Sequence, residues 1–189
     1  TFDDGYKSSL EAAEYAYINH KIKSIIFLIT DQINSNNFIS EEMISKFNNQ
    51  GNITFGFHGK THTPFINLQK KQIVEEINIG KSKLENIFKK KIEHFSYPHG
   101  LRSLVTDSLL VQNGFKFIFT SEYGVLNKNL YSNINKEMDY KLISRNCILK
   151  KSTSYELYLI LRSPSFNMMI IKQKIKRYLI KFIKNLKRT

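Results

Sequence analysis

Apolar positions follow two rhythms along the chain. Residues 24–30 (Ser-Ile-Ile-Phe-Leu-Ile-Thr) form an unbroken run with β-branched residues, the pattern of a buried strand in a parallel sheet. Further strands are predicted over 53–57, 93–97, 115–120 and 142–149. Between them the apolar spacing lengthens to three or four. Leu10, Ala13 and Tyr17 mark one stripe of a helix over 8–20, capped by Ser8 or Ser9. Ser40-Glu41-Glu42-Met43 opens a second helix that stops near Gly51. A long helix over 68–90 turns Ile73, Ile77, Leu84, Ile87 and Phe88 inward and lysines outward. Shorter helices follow over 104–113, with Gly114 just past the end, and over 153–161. Residues 31–37, 59–67 and 121–140 read as polar loops. Strand alternating with helix predicts an α/β fold built on a parallel sheet or barrel.

Composition narrows this picture. A chain of 189 residues with 41% hydrophobic and 13% aromatic residues supports one core-bearing domain and excludes a disordered segment. A lone cysteine, Cys147, excludes an internal disulfide, and we expect it to be a small buried residue in a strand. No run of 18 apolar residues is present, so no spanning helix is expected. The chain opens on Thr1 within what reads as a strand end. We therefore expect the first strand and any signal peptide to lie upstream.

The net charge of +13 is unevenly placed, because residues 164–189 hold eight basic residues and no acid. This divides the chain into a domain over 1–163 and a tail over 164–189. In the tail, Met168, Ile171, Ile175, Leu179, Phe182 and Leu186 are spaced by three or four, predicting a basic amphipathic helix. Such a helix either lies on an anionic membrane surface or packs on the domain as a terminal helix. No aromatic–basic surface motif accompanies the charge, so we expect no nucleic-acid partner.

Candidate chemistry concentrates in three stretches. In Thr1-Phe2-Asp3-Asp4-Gly5-Tyr6, two carboxylates leave a strand end in different directions, because strand side chains alternate faces. One can hold a metal while the other faces the water on it. In His58-Gly59-Lys60-Thr61-His62, two imidazoles at i and i+4 would face the same way on a helical turn and grip one metal. An Asp with two His is a three-ligand set that keeps an open position. The third stretch is Phe95-Ser96-Tyr97-Pro98-His99-Gly100. His20, His94, Asp107 and Asp139 belong to no motif and read as structural or surface residues.

Together and in this order, the three stretches resemble the NodB-type polysaccharide deacetylases, carbohydrate esterase family four. The third resembles the Phe-Ala-Tyr-Pro-Tyr-Gly variant. The resemblance runs from Thr1 to about Ile148. It implies a distorted, incomplete (β/α) barrel and a hydrolase that removes an acetyl group from an N-acetylated sugar or polysaccharide, including a lipid-linked one. It assigns Asp3 as general base, Asp4, His58 and His62 as metal ligands, and the backbone N–H of His99 as oxyanion donor. Pro98 would fix the local turn and Gly100 would permit close approach of the sugar. The metal expected is zinc, with cobalt, nickel or manganese also compatible. The location implied is the cell envelope or its membrane.

Two departures stand out. The Arg that usually orients the base is Ser96 here, and the usual Leu-X-His near the fifth strand reads Leu142-Ile143-Ser144-Arg145-Asn146. Arg145 is therefore a candidate partner for Asp3, and the His99 imidazole a candidate for the missing acid. The alternative function is a catalytically weak glycan-binding or membrane-associated remnant of the fold.

Overall fold

The computed structural model describes residues 1–122, 140–148, 152–155 and 158. Five parallel strands form one sheet in sequential order: β1 (Ser24–Leu28), β2 (Ile53–Phe57), β3 (His94–Ser96), β4 (Phe117–Phe119) and β5 (Lys141–Ile143). Helix α1 (Lys7–His20) precedes β1, and α2 (Glu41–Asn48), α3 (Lys70–Phe88) and α4 (Leu104–Gln112) cross between successive strands. Short 3₁₀ turns occupy Thr30–Gln32, where the end of the expected strand meets the expected loop, and Phe65–Asn67, inside a stretch expected to be plain loop.

Local sequence explains most boundaries. Ser40 caps α2 by accepting the Met43 N–H, and Gln69 and Gln72 form a reciprocal capping box at the start of α3. Ser103 caps α4 through the Thr106 N–H. The stripes expected for α1 and α3 point inward, with Leu10, Ala13, Ile73, Ile77, Leu84 and Phe88 buried and Tyr17 and Ile87 half-buried, and α2 buries Ile44 and Phe47.

The sheet curls. Before α1, Phe2 donates to the Ile25 carbonyl and accepts from Phe27 N–H, adding a one-residue stub beside β1. Flat, five steps of strand spacing would separate this stub from β5 by roughly 24 Å. Yet Arg145, two residues beyond β5, bonds to Asp3 at 2.6 Å. Phe27 of β1 also meets Phe119 of β4 across the interior, with ring centroids 4.9 Å apart. The result is an open, incomplete (β/α) barrel.

Two expectations are corrected. The last strand ends at Ile143 rather than 149, because Arg145 N–H turns to the Glu122 carbonyl instead of continuing the ladder. Cys147 therefore lies beyond the strand and is exposed, not buried. The span expected as the 153–161 helix is described only in part, and 164–189 and Asp139 lie outside the described residues. Among the described residues, no helix is long and apolar enough to cross a membrane.

Candidate active site

The carboxyl ends of the strands carry the chemistry, as in other α/β barrels. At the first of them the chain must turn sharply from the Phe2 stub into α1. It does so with φ of +70° at Asp4 and +82° at Gly5, and with a Gly5 N–H to Asp3 carbonyl bond of 3.0 Å. Asp is among the few residues besides glycine that tolerate this region. The turn splits the neighbouring carboxylates between two separate sets of partners.

Asp4 faces His58 and His62. Its Oδ1 lies 3.4 Å from His58 Nε2 and 3.2 Å from His62 Nε2, and the potential ligand atoms of the three residues all fall within 4.8 Å of one another. His58 follows β2 directly and is almost fully buried. Its Nδ1 lies 2.8 Å from the Ser96 carbonyl. A carbonyl only accepts, so Nδ1 carries the proton in that bond and Nε2 is turned toward Asp4. His62 reaches the same point from a loop. The two histidines do not share a helical turn, because φ of +85° at Gly59 and +69° at His62 folds the segment irregularly.

Two imidazole nitrogens around one carboxylate oxygen require positive charge among them, supplied by a proton or a cation. The close contact with His58, reinforced by the neighbouring His62 and His99, outweighs burial and holds Asp4 below the usual carboxylate range, so it stands ionised and able to ligate. Burial, then His58, lowers the pKa of His62, favouring the neutral ring whose lone pair is free to ligate. One carboxylate and two imidazoles, one of them oriented through its far nitrogen, fit a divalent transition metal.

Asp3 pairs with Arg145 instead. Arg145 Nη1 donates to Asp3 Oδ1 at 2.6 Å and Nη2 to Oδ2 at 2.9 Å, a two-pronged pair. The other three N–H groups go to Ser96 Oγ at 2.8 Å, Thr120 carbonyl at 3.1 Å and Thr1 Oγ1 at 3.4 Å. All five guanidinium donors are engaged. Ser96 Oγ in turn donates to Asp3 Oδ1 at 3.2 Å. Fully buried Ser96 thus serves both halves of the site, with its hydroxyl on Asp3 and its carbonyl on His58.

His99 completes the constellation. Its ring stacks on His62 with centroids 4.4 Å apart. Its φ is +56°, and no backbone hydrogen bond among the described residues uses its N–H. Asp4, His62 and His99 are three of the six non-glycine residues with positive φ among the described residues. Backbone strain concentrates at such sites.

A family model for polysaccharide deacetylases matches residues 1–118. The chain belongs to the polysaccharide deacetylase family. Solved structures agree on the fold of this family member. A polysaccharide deacetylase from Bacillus cereus superimposes with a TM-score of 0.70 at 20% identity, covering 83% of this chain and 48% of that one. The Streptococcus pyogenes deacetylase PplD, solved in complex with acetate, gives 0.70 at 16% identity, covering 83% and 66%. IcaB from Ammonifex degensii gives 0.62 at 24% identity, covering 79% and 66%. The chain thus spans about half the length of the Bacillus cereus relative. No curated protein sequence matches it significantly.

Every residue singled out from the motifs of this deacetylase family lies at one place: Asp3, Asp4, His58, His62, His99 and Arg145. Gly100 has a packing requirement of its own. A Cβ there would lie 2.2 Å from Ser121 Oγ, so packing alone requires glycine. Sequence reasoning registered Ser96 only as a lost Arg. It also passed over a structural cluster behind the third motif. Buried Asp107 accepts the Tyr97 hydroxyl and is paired with Arg102. Burial, then that hydrogen bond, pushes the Tyr97 phenol far above its ordinary range. His94 is half-buried against Phe117, and burial lowers its pKa. Both findings agree with the structural reading of Asp107 and His94.

Proposed function

We propose that the chain is a metal-dependent hydrolase that removes the acetyl group from an N-acetylated sugar in a glycan or lipid-linked saccharide. The observation that carries this reading is the division of the Asp pair, one carboxylate among two imidazoles and the other clamped by Arg145. Membership of the polysaccharide deacetylase family supports it. So does the acetate found with the Streptococcus pyogenes relative, since acetate is the acid released by such a reaction.

Asp4, His58 and His62 would hold the metal, with zinc the best match and cobalt, nickel or manganese compatible. Such a cation supplies Lewis acidity, making an amide carbonyl more electrophilic and a water easier to deprotonate. Asp3 accepts the proton of the attacking water. Its Oδ1 is taken by Arg145 and Ser96 while Oδ2 has one described partner, so Oδ2 keeps room for that water. Arg145 fixes the plane of the carboxylate. The His99 N–H donates to the oxygen on which negative charge develops. The leaving amine also needs a proton, and the imidazole of His99, stacked on His62, is the candidate to deliver it, while the proton taken up by Asp3 returns through solvent. The intact ligand set favours this reading over a catalytically weak glycan-binding remnant, which has no need of three converging ligands.

The test is acetate release from N-acetylglucosamine oligomers before and after chelation and zinc restoration, with Asp3→Asn alongside. Chelation should abolish release and zinc should restore it. Asp3→Asn should keep the metal and lose about 10²–10⁴-fold in turnover, the usual span for general-base catalysis. Chelator-resistant release, or an Asp3→Asn variant at full turnover, would overturn the proposal.

A further inference from the structure

The loop carrying His62 is held from outside itself. Its backbone is irregular, so no local ladder fixes it. On one side the 3₁₀ turn after β1 grips it, with Thr30 N–H to the Gly59 carbonyl at 3.2 Å and Asp31 N–H to the Lys60 carbonyl at 3.1 Å. On the other side stands Glu76, half-buried in the second turn of α3. Glu76 Oε2 accepts the Lys60 N–H at 2.9 Å and the Thr61 N–H at 3.1 Å, and Oε1 accepts the Thr61 hydroxyl at 2.8 Å. The Thr61 oxygen then takes the Thr63 N–H at 3.3 Å and lies 2.8 Å from the Thr63 hydroxyl. One carboxylate thus organises both residues immediately before His62 and, through Thr61, the residue after it. The exposed Lys60–Asp31 pair at 3.0 Å adds little by comparison.

We propose that Glu76 is a positioning residue for the metal centre, acting through Lys60 and Thr61 to keep His62 within ligating reach of Asp4 and His58. This rests on the reading of those three residues as metal ligands. His58 does not depend on Glu76, because the end of β2 and the Ser96 carbonyl hold it. Loss of Glu76 therefore removes one ligand's support and leaves the other two in place. Partners that orient a ligand are commonly worth about 10–100-fold in metal affinity.

The test compares wild type, Glu76→Ala and Glu76→Gln by zinc affinity, in competition with a chromophoric chelator. Amide exchange at Lys60 and Thr61 is measured in the metal-free proteins. Gln can still accept both N–H groups and donate its NH₂ to Thr61 Oγ1, so it separates hydrogen bonding from charge. The expected result is about 10–100-fold weaker zinc binding and faster exchange in Glu76→Ala, with most of both recovered in Glu76→Gln. Wild-type zinc affinity in Glu76→Ala, or equal loss in both variants, overturns the proposal. If Glu76→Ala does not fold, Thr61→Ala takes its place, and an unchanged zinc affinity there overturns it equally. A wild-type protein that takes up no zinc overturns the metal reading, whereas the metal-free exchange rates judge the Glu76 contact on their own.

Discussion

At the scale of single residues, the departures from the family pattern compensate one another. The third motif loses an Arg and gains Ser96, while the strand that should end in Leu-X-His supplies Arg145. The guanidinium simply arrives from another strand. Ser96 has to be small, because it is fully buried and shares its surroundings with Arg145, whose Nη2 it accepts at 2.8 Å. The motifs made Asp3, Asp4, His58, His62 and His99 legible. Arg145 was legible only as a candidate, since a partner 142 positions away leaves no local trace in a single sequence. Ser96 and Glu76 were illegible, because serine and a helix-surface glutamate are unremarkable residue types until their neighbours are known. A test of the compensation is Arg145→Lys. A lysine keeps the charge but cannot span both oxygens of Asp3 in a fixed plane. Misplacing a reacting group by an ångström costs on the order of 10²-fold. Turnover should therefore fall by about that factor with zinc content unchanged. Equal turnover in Arg145→Lys would reduce Arg145 to a generic countercharge.

At the scale of elements, strands and helices were legible from period alone, and their ends were not. The apolar run after residue 24 was expected to continue to Thr30, but the ladder stops at Leu28 because Thr30 N–H and Asp31 N–H turn to the His62 loop. Function thus sets that boundary against local propensity. The contact of α3 with β2 shows how tightly an element holds the site. Gly80 lies mid-helix, where alanine would favour the helix by about 1 kcal/mol. A Cβ there would lie 2.6 and 2.8 Å from ring atoms of Phe57, which is fully buried between Phe95 and Phe115. Overpacking of this kind costs about 1–3 kcal/mol and outweighs the gain. Gly80→Ala should lower the melting temperature by several degrees, at about 2–4 °C per kcal/mol for a domain of this size. Because Phe57 precedes His58, zinc affinity should weaken as well. A melting temperature at or above wild type would show that the ring has room to move.

At the scale of the whole molecule, a sequential parallel sheet brings its two edges together, and the Asp3–Arg145 pair sits at that closure. Barrel and site are therefore one construction, and the motifs that imply the site also imply the barrel that the strand and helix periods leave open. Charge is the other global property, and it lies mostly in residues 164–189. We propose that this segment contacts anionic lipid, where its apolar stripe would enter the headgroup boundary and its cations face the surface. Each basic residue near such a surface contributes about 1 kcal/mol, and salt weakens that term as the screening length falls to about 8 Å at physiological ionic strength. Eight such residues would give strong binding at low salt even if only half engage together. Attachment of this kind suits a lipid-linked saccharide as substrate. Vesicles containing phosphatidylserine should bind the chain at low salt and release it as salt rises, and neutral vesicles should bind it weakly. Deleting 164–189 should abolish binding while the domain keeps its fold and its zinc. If the intact chain ignores anionic vesicles at low salt and the truncated one unfolds, the apolar stripe belongs to the core of the domain instead.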